Sequence, residues 1–171
     1  MMNRDPVKDI NINSDTKLGD LVEQFGEAGG FVASKISTAS SIVKDMNSED
    51  CTKFVSFPAD IMATGTRGLM KQIVENDMAD VVVTTCGTLD HDIARVLADY
   101  YHGDFAMDDE LLRDEGVNRL GNVLVPDDSY GIPIERWMQP ILEELYGEKK
   151  HWEPWEIWYE LGLRILEEER G

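Results

Sequence analysis

The stretch Asp80-Val81-Val82-Val83-Thr84-Thr85-Cys86-Gly87-Thr88-Leu89-Asp90-His91-Asp92 decides the fold class. Its first half is an uninterrupted β-branched run, the pattern of a strand buried on both faces of a parallel sheet. The small residues at 84–88 then predict a turn, and a helix opening after Thr88 runs toward Leu97. Upstream, Cys51 to Phe57 is a second short run rich in β-formers, followed by Pro58-Ala59-Asp60 and a helical stretch to Asn76. Met62, Gly65, Leu69 and Ile73 would line one face of that stretch. Strand, helix and strand in this order form a βαβ unit with a right-handed crossover. The expected class is α/β, with a Rossmann-like parallel sheet flanked by helices.

Outward from this unit, residues 1–16 read as a polar N-terminal arm, and 17–171 as one domain-sized body. Leu18, Leu21, Val22 and Phe25 recur at helical spacing. Gly26, Gly29 and Gly30 interrupt them, and Phe31 to Met46 reads as a second helix. Residues 99–129 are less regular, with a short helix near Asp109–Asp114 and a turn from Asn118 leading into a short strand that ends at Pro126. Ile134 to Tyr146 is amphipathic. Pro154 suits the first turn of a last helix whose Trp155, Trp158, Gly162 and Ile165 share a face. Trp137, Trp152, Trp155 and Trp158 crowd the final third, as core or as a seam with another surface. Glu153, Glu156, Glu160, Glu167, Glu168 and Glu169 read as a solvated face.

The 171 residues carry 34 acidic against 16 basic side chains, a formal net charge of -18. That surface repels phosphate backbones and anionic lipids, so neither nucleic acid nor membrane is an expected partner. It suits a cationic substrate or a basic protein, although a protein of a salt-rich cytoplasm would carry the same charge. The start, Met1-Met2-Asn3-Arg4-Asp5-Pro6, lacks an apolar signal core, and no run approaches the roughly 20 apolar residues of a membrane span. A cytoplasmic protein is expected. Two cysteines, Cys51 and Cys86, make no disulfide framework, and Cys86 is expected to end a buried strand.

In open α/β sheets, ligands bind beyond the carboxyl ends of the strands. Those ends fall on Ser56-Phe57-Pro58-Ala59-Asp60-Ile61-Met62-Ala63-Thr64-Gly65 and on Thr84 to Asp92. Small residues in both turns would admit a nucleotide, yet neither turn is a GxGxxG or a phosphate-binding loop. Asp90, His91 and Asp92 are expected in the first helical turn, where carboxylates are favoured by the dipole and would oppose a phosphate. They would suit a ribose hydroxyl, a nicotinamide ring or a polyamine nitrogen; from spacing alone, helix-capping acids and an ordinary surface histidine are the better account. His102 and His151 have no companions at metal-ligand spacing, so no metal is expected. No histidine is placed by motif to activate a Ser or Cys nucleophile.

Residues 51–126 resemble the deoxyhypusine synthase family. The resemblance is carried by Cys51-Thr52-Lys53-Phe54, by Asn76-Asp77-Met78-Ala79-Asp80 through Thr85 and Gly87, and by Tyr100-Tyr101-His102-Gly103-Asp104-Phe105. Leu111-Leu112-Arg113-Asp114-Glu115-Gly116-Val117-Asn118-Arg119-Leu120-Gly121-Asn122-Val123-Leu124-Val125-Pro126 continues it. Gly29-Gly30-Phe31-Val32-Ala33 and Trp137-Met138-Gln139-Pro140-Ile141-Leu142 extend it, so that it runs from about residue 18 to the end.

The resemblance implies an NAD-dependent transferase of four similar subunits with active sites at their interfaces. NAD oxidises spermidine, an enzyme lysine captures the aminobutyl unit, and that unit passes to a lysine of translation initiation factor 5A. It implies cofactor contacts at Ala59, Asp60, Ala63, Thr85, Cys86, Gly87 and His91, and substrate contacts at Asp90 and His91. Ala59-Asp60 stands where Ser-Asn is usual, Ala63 replaces Ser, and Asp90-His91 replaces Glu-Glu, a form similar to the archaeal branch. The family's catalytic lysine belongs to its C-terminal half, and none of Lys8, Lys17, Lys35, Lys44, Lys53, Lys71, Lys149 and Lys150 matches that motif.

The leading expectation is therefore one subunit of a split enzyme. A second polypeptide would complete the sheet and supply the lysine in a hetero-oligomer. A non-catalytic regulatory paralogue, binding NAD or a full-length enzyme, is the alternative, and a processed fragment of a longer enzyme is a third.

Overall fold

The computed structural model describes residues 4–168; Met1 to Asn3 and Glu169, named above, lie outside the described residues. The chain divides into two compact units, one ending at Lys53 and one beginning at Phe54.

The first unit is a helical hairpin, α1 (Leu18–Ala28) and α2 (Ala33–Ser48). Gly29 closes α1 with φ 65°, a left-handed turn that a residue without Cβ adopts freely. Residues 4–16 form no helix or strand and run along α1. The Lys8 amide donates to the Glu27 carbonyl at 3.2 Å, and the Asn11 amide to Gln24 Oε1 at 2.7 Å.

The second unit holds the βαβ element. Strand β1 (Phe54–Ser56) pairs in parallel with β2 (Val81–Val83), Val55 opposite Val82. Between them lie a 3-10 turn (Ala59–Ala63) and α3 (Arg67–Glu75). The expected single helical stretch after Pro58-Ala59-Asp60, running to Asn76, is thus two elements. Met62 belongs to the turn, where it is buried, and Leu69 is exposed. After β2 comes α4 (Gly87–Leu97), then β3 (Tyr101–His102), α5 (Asp109–Asp114), β4 (Val117–Leu120) and β5 (Val123–Pro126). Residues read as a turn and one strand are an antiparallel hairpin closed by Gly121, at φ 62°, and Asn122. β3 joins it in the order β3-β5-β4, a separate three-stranded sheet. A 3-10 turn (Asp127–Ser129) leads to α6 (Gly131–Glu148) and α7 (Pro154–Glu168).

The architecture is mixed α/β with a small parallel sheet and helices. Its core lies elsewhere than the valine run suggests. Ile93 of α4, Ile141 and Leu145 of α6 and Leu161 of α7 are buried together. Leu97, Trp137, Trp152, Ile157 and Ile165 pack around them. Val82 and Val83 are instead 42% and 54% exposed, and Cys86 is exposed, which corrects the expectation of a buried strand. The physical reason is that, among the described residues, β2 has a single paired neighbour, in a two-stranded sheet.

The four tryptophans divide. Trp137 and Trp152 line the core, whereas Trp155 and Trp158 are exposed at 66% and 52%. Trp155, Trp158 and Ile165 therefore do not share one packed face: α7 buries the stripe Ile157, Leu161 and Ile165 and turns the two tryptophans outward. No helix among the described residues is long and apolar enough to cross a membrane.

Candidate functional site at the strand ends

Because β1 and β2 are parallel, their carboxyl ends lie at one edge, and the turns after Ser56 and Val83 emerge side by side. Threonines lock the two together. Thr84 Oγ1 donates to the Phe57 carbonyl at 2.9 Å, and Thr88 Oγ1 lies 2.6 Å from Thr84 Oγ1. Since the single Thr84 proton is used at Phe57, Thr88 is the donor in the second bond. Gly87 opens α4 directly against the first turn, where a Cβ would sit 3.0 Å from the Ala59 Cβ. From the last turn of α4, Arg95 Nη1 donates back to the carbonyls of Met62 at 3.1 Å and Thr64 at 2.6 Å.

Each residue singled out in the sequence can now be placed. Ala59 and Ala63 are buried, 7% and 3% exposed, and pack the 3-10 turn against α4, while Asp60 between them is exposed. Thr85 and Cys86 are exposed at the start of α4, and Gly87 is half-buried. Asp90 lies in the first turn of α4; His91 and Asp92 follow in the second, later than expected. Asp92 is committed to a short ion pair with Arg67 Nε of α3.

Asp90 and His91 instead meet two tyrosines from other elements. Tyr100, just past α4, places its hydroxyl 3.0 Å from His91 Nδ1, with its ring edge-on to the imidazole. Tyr130, at the start of α6, lies 5.3 Å from the His91 ring, tilted by 34°, and donates to Asp90 Oδ2 at 3.3 Å. Burial holds His91 below its ordinary value of 6.5, with Asp90 and Asp60 opposing that effect and Arg95 reinforcing it. Burial likewise pushes the Tyr100 phenol up to about 12, aided by Tyr130 and Asp90, and raises Tyr130 beside Asp90. At neutral pH the cluster is a neutral imidazole, two intact phenols and the Asp90 side chain. Spacing along the chain held no signal for Tyr130, which comes 40 residues after its partner Asp90.

On the other side of the first turn, Asp60, Ile61 and Thr64 face Leu120, Gly121, Asn122 and Val123 of the β4–β5 hairpin across a shallow cavity of about 280 Å³. The cations of this edge are engaged internally, Arg67 by Asp92 and Arg95 by two carbonyls. What the edge offers a ligand is hydroxyls, carboxylates, an imidazole and aromatic faces. That donor set fits the ribose and ring portions of a nucleotide, or a polyamine, better than a pyrophosphate. Among the described residues no three of His, Cys, Asp and Glu gather where they could hold a metal ion.

The fold and this edge define a mixed α/β protein with a polar, aromatic-framed cluster at the carboxyl ends of a parallel strand pair. Comparison with known proteins gives the family. The family model for deoxyhypusine synthase matches residues 20–170, and the chain belongs to that family. It is 54% identical over 165 residues to a probable deoxyhypusine synthase of Picrophilus torridus, covering 96% of this chain and 53% of that relative. A probable deoxyhypusine synthase of Thermoplasma acidophilum is 55% identical over 163 residues, covering 95% and 53%. One from Ignicoccus hospitalis is 40% identical over 166 residues, covering 96% and 51%. The chain thus spans about half the length of the curated relatives it matches.

Proposed function

We propose that this chain carries one half of an NAD-dependent deoxyhypusine synthase, which transfers the aminobutyl group of spermidine to a lysine of translation initiation factor 5A. A second polypeptide supplies the catalytic lysine, and the two together form the working hetero-oligomer in the cytoplasm. The observation that carries this reading is that Asp90 and His91, adjacent in α4 beyond the strand ends, are each held by a tyrosine from another part of the chain, in a chain that belongs to the family. Thr85, Cys86, Gly87, Asp60 and His91 would hold the cofactor, with Ala59 and Ala63 shaping the turn beneath it. Bound NAD would supply the hydride acceptor. Asp90 would hold a spermidine nitrogen by charge, in keeping with the net charge of -18.

The surface supports a further polypeptide. Among the described residues both strands of the parallel pair have a free edge, Phe54 is 65% exposed, and α7 turns Trp155, Trp158 and Tyr159 outward. An apolar area of this kind marks an interaction site. A second reading, a non-catalytic paralogue that regulates a full-length enzyme, is favoured by Ala59 and Ala63, which bring no hydroxyl to the first turn.

Native mass spectrometry of the protein purified from its own cells, with and without NAD, tests the choice. A stable assembly with a second chain of similar size that retains NAD and consumes spermidine is the expected result. Association with a full-length enzyme instead would select the regulatory reading. A homo-oligomer without affinity for NAD would sink the half-site.

A further inference from the structure

The imidazole of His91 is held at one nitrogen only. Its Nδ1 lies 3.0 Å from the Tyr100 hydroxyl, and no bond to Nε2 occurs among the described residues. Either atom of that pair could in principle donate, and chemistry decides between them. A phenol is the better donor and an imine-type nitrogen the better acceptor, so the shared proton belongs to Tyr100 and Nδ1 accepts. The Tyr100 hydroxyl has no other partner among the described residues that would call its proton away. With Nδ1 occupied, the neutral ring carries its own proton on Nε2.

Tyr130 acts on the neighbouring residue. It donates to Asp90 Oδ2, anchoring one carboxylate oxygen, while its ring lies alongside the His91 ring. The two side chains that the sequence marks as ligand contacts are therefore oriented by two that it did not.

We infer that Tyr100 and Tyr130 are positioning residues: Tyr100 fixes His91 as the Nε2–H tautomer, and Tyr130 fixes the Asp90 carboxylate. Asp90 then offers an acceptor to a donor such as a spermidine nitrogen, and His91 Nε2 offers a donor to an acceptor such as a hydroxyl or carboxamide oxygen. This deepens the reading above, because it assigns what the second strand-end turn presents to a ligand. A pair of carboxylates there would offer two acceptors and no donor, so His91 changes the specificity of the turn and not only its charge. The groups facing His91 are Tyr100, Tyr130, Asp90, Asp60 and Arg95, and burial keeps the ring neutral at pH 7.

The test is spectroscopic and does not depend on turnover. The full chain, labelled with ¹⁵N in its histidines and carrying His102→Gln and His151→Gln to leave one signal set, is examined by long-range ¹H–¹⁵N correlation from pH 5 to 8. The expected spectrum at pH 7.5 has an imine-type Nδ1 and a protonated Nε2. Tyr100→Phe should let the second tautomer appear and raise the His91 pKa by roughly 0.5 to 1, the worth of one hydrogen bond to the neutral ring. Tyr130→Phe should leave the tautomer unchanged. A protonated Nδ1 in the parent chain, or a Tyr100→Phe spectrum identical to it, would overturn the inference. Because the readout is the ring itself, the expected spectrum in a chain that binds no NAD would leave the positioning intact and remove only the proposed function.

Discussion

Arg95 Nη1 donates to the Thr64 carbonyl at 2.6 Å and to the Met62 carbonyl at 3.1 Å, so one guanidinium ties α4 to the turn that follows β1. The two protons of one Nη1 nitrogen reach both carbonyls, and a lysine stem of different length and shape would not place its ammonium at that point. Arg95→Met should therefore cost about 1.5–3 kcal/mol, the range for hydrogen bonds from a charged donor. Arg95→Lys should recover only part of it. Denaturant unfolding of the three proteins measures this. Since Arg95 also helps hold His91 low, the His91 titration should move up in Arg95→Met.

The same junction explains Gly87. Alanine gains up to roughly 0.5–1 kcal/mol over glycine in a helix interior, which is an upper bound at the first helical position. Here its Cβ would meet the Ala59 Cβ at 3.0 Å, and the turn carrying Ala59 is pinned by Arg95. Overpacking typically costs about 1–3 kcal/mol, so it outweighs the helical gain. Gly87→Ala should destabilise the chain. Adding Ala59→Gly should relieve the clash, giving a favourable coupling in the double-mutant cycle. Strict additivity of the two changes would mean that the turn gives way freely.

His91 predicts a pH dependence with a definite sign. Its folded pKa is depressed below the ordinary 6.5, chiefly by burial. Between those two values the unfolded chain binds more protons than the folded one, so stability rises with pH across that window. The contribution is fully present above 6.5 and is lost as pH falls through the folded pKa. Unfolding curves of the parent chain should steepen in their loss of stability below pH 6.5, and His91→Gln should remove that component. An identical pH slope in the variant would place the dependence on other groups.

Much of this was legible in the sequence, for reasons visible in particular residues. The βαβ order followed from two β-rich runs, and α5 at Asp109–Asp114 appeared where its short helical pattern lies. Pro154 marked the first residue of α7 because a missing amide costs nothing there. Burial was not legible. A run of three valines reads as interior, yet Val83 is 54% exposed because burial depends on what covers a strand, which its own residues do not encode. The site was legible in part: Asp90 and His91 stood out by position, but the tyrosines that orient them arrive from β3 and α6 connections with no periodic relation to α4. Likewise Ala59 and Ala63, small enough to suit a ligand, are small enough to pack under α4, and spacing does not separate the two.

Helix α7 has two apolar faces, and they should respond to mutation in opposite ways. Leu161, 3% exposed, packs with Ile93, Ile141 and Leu145, so Leu161→Ala should cost about 2–5 kcal/mol of stability as a core truncation. Trp155, Trp158, Tyr159 and Leu166 form a second, exposed stripe beside the buried one, with Trp158 at its border. A helix with two apolar stripes is one that packs on both. Trp158→Glu should therefore leave the unfolding midpoint of the chain within about 0.5 kcal/mol, as surface changes do. In the proposed assembly the same carboxylate would enter an apolar contact without a partner, and binding of the proposed second polypeptide should weaken by at least tenfold, about 1.4 kcal/mol. Unfolding curves and titration by sedimentation give the two readouts on one variant. Loss of stability without loss of binding would show that Trp158 belongs to this chain's own packing. Retention of both would remove the α7 face from the interface.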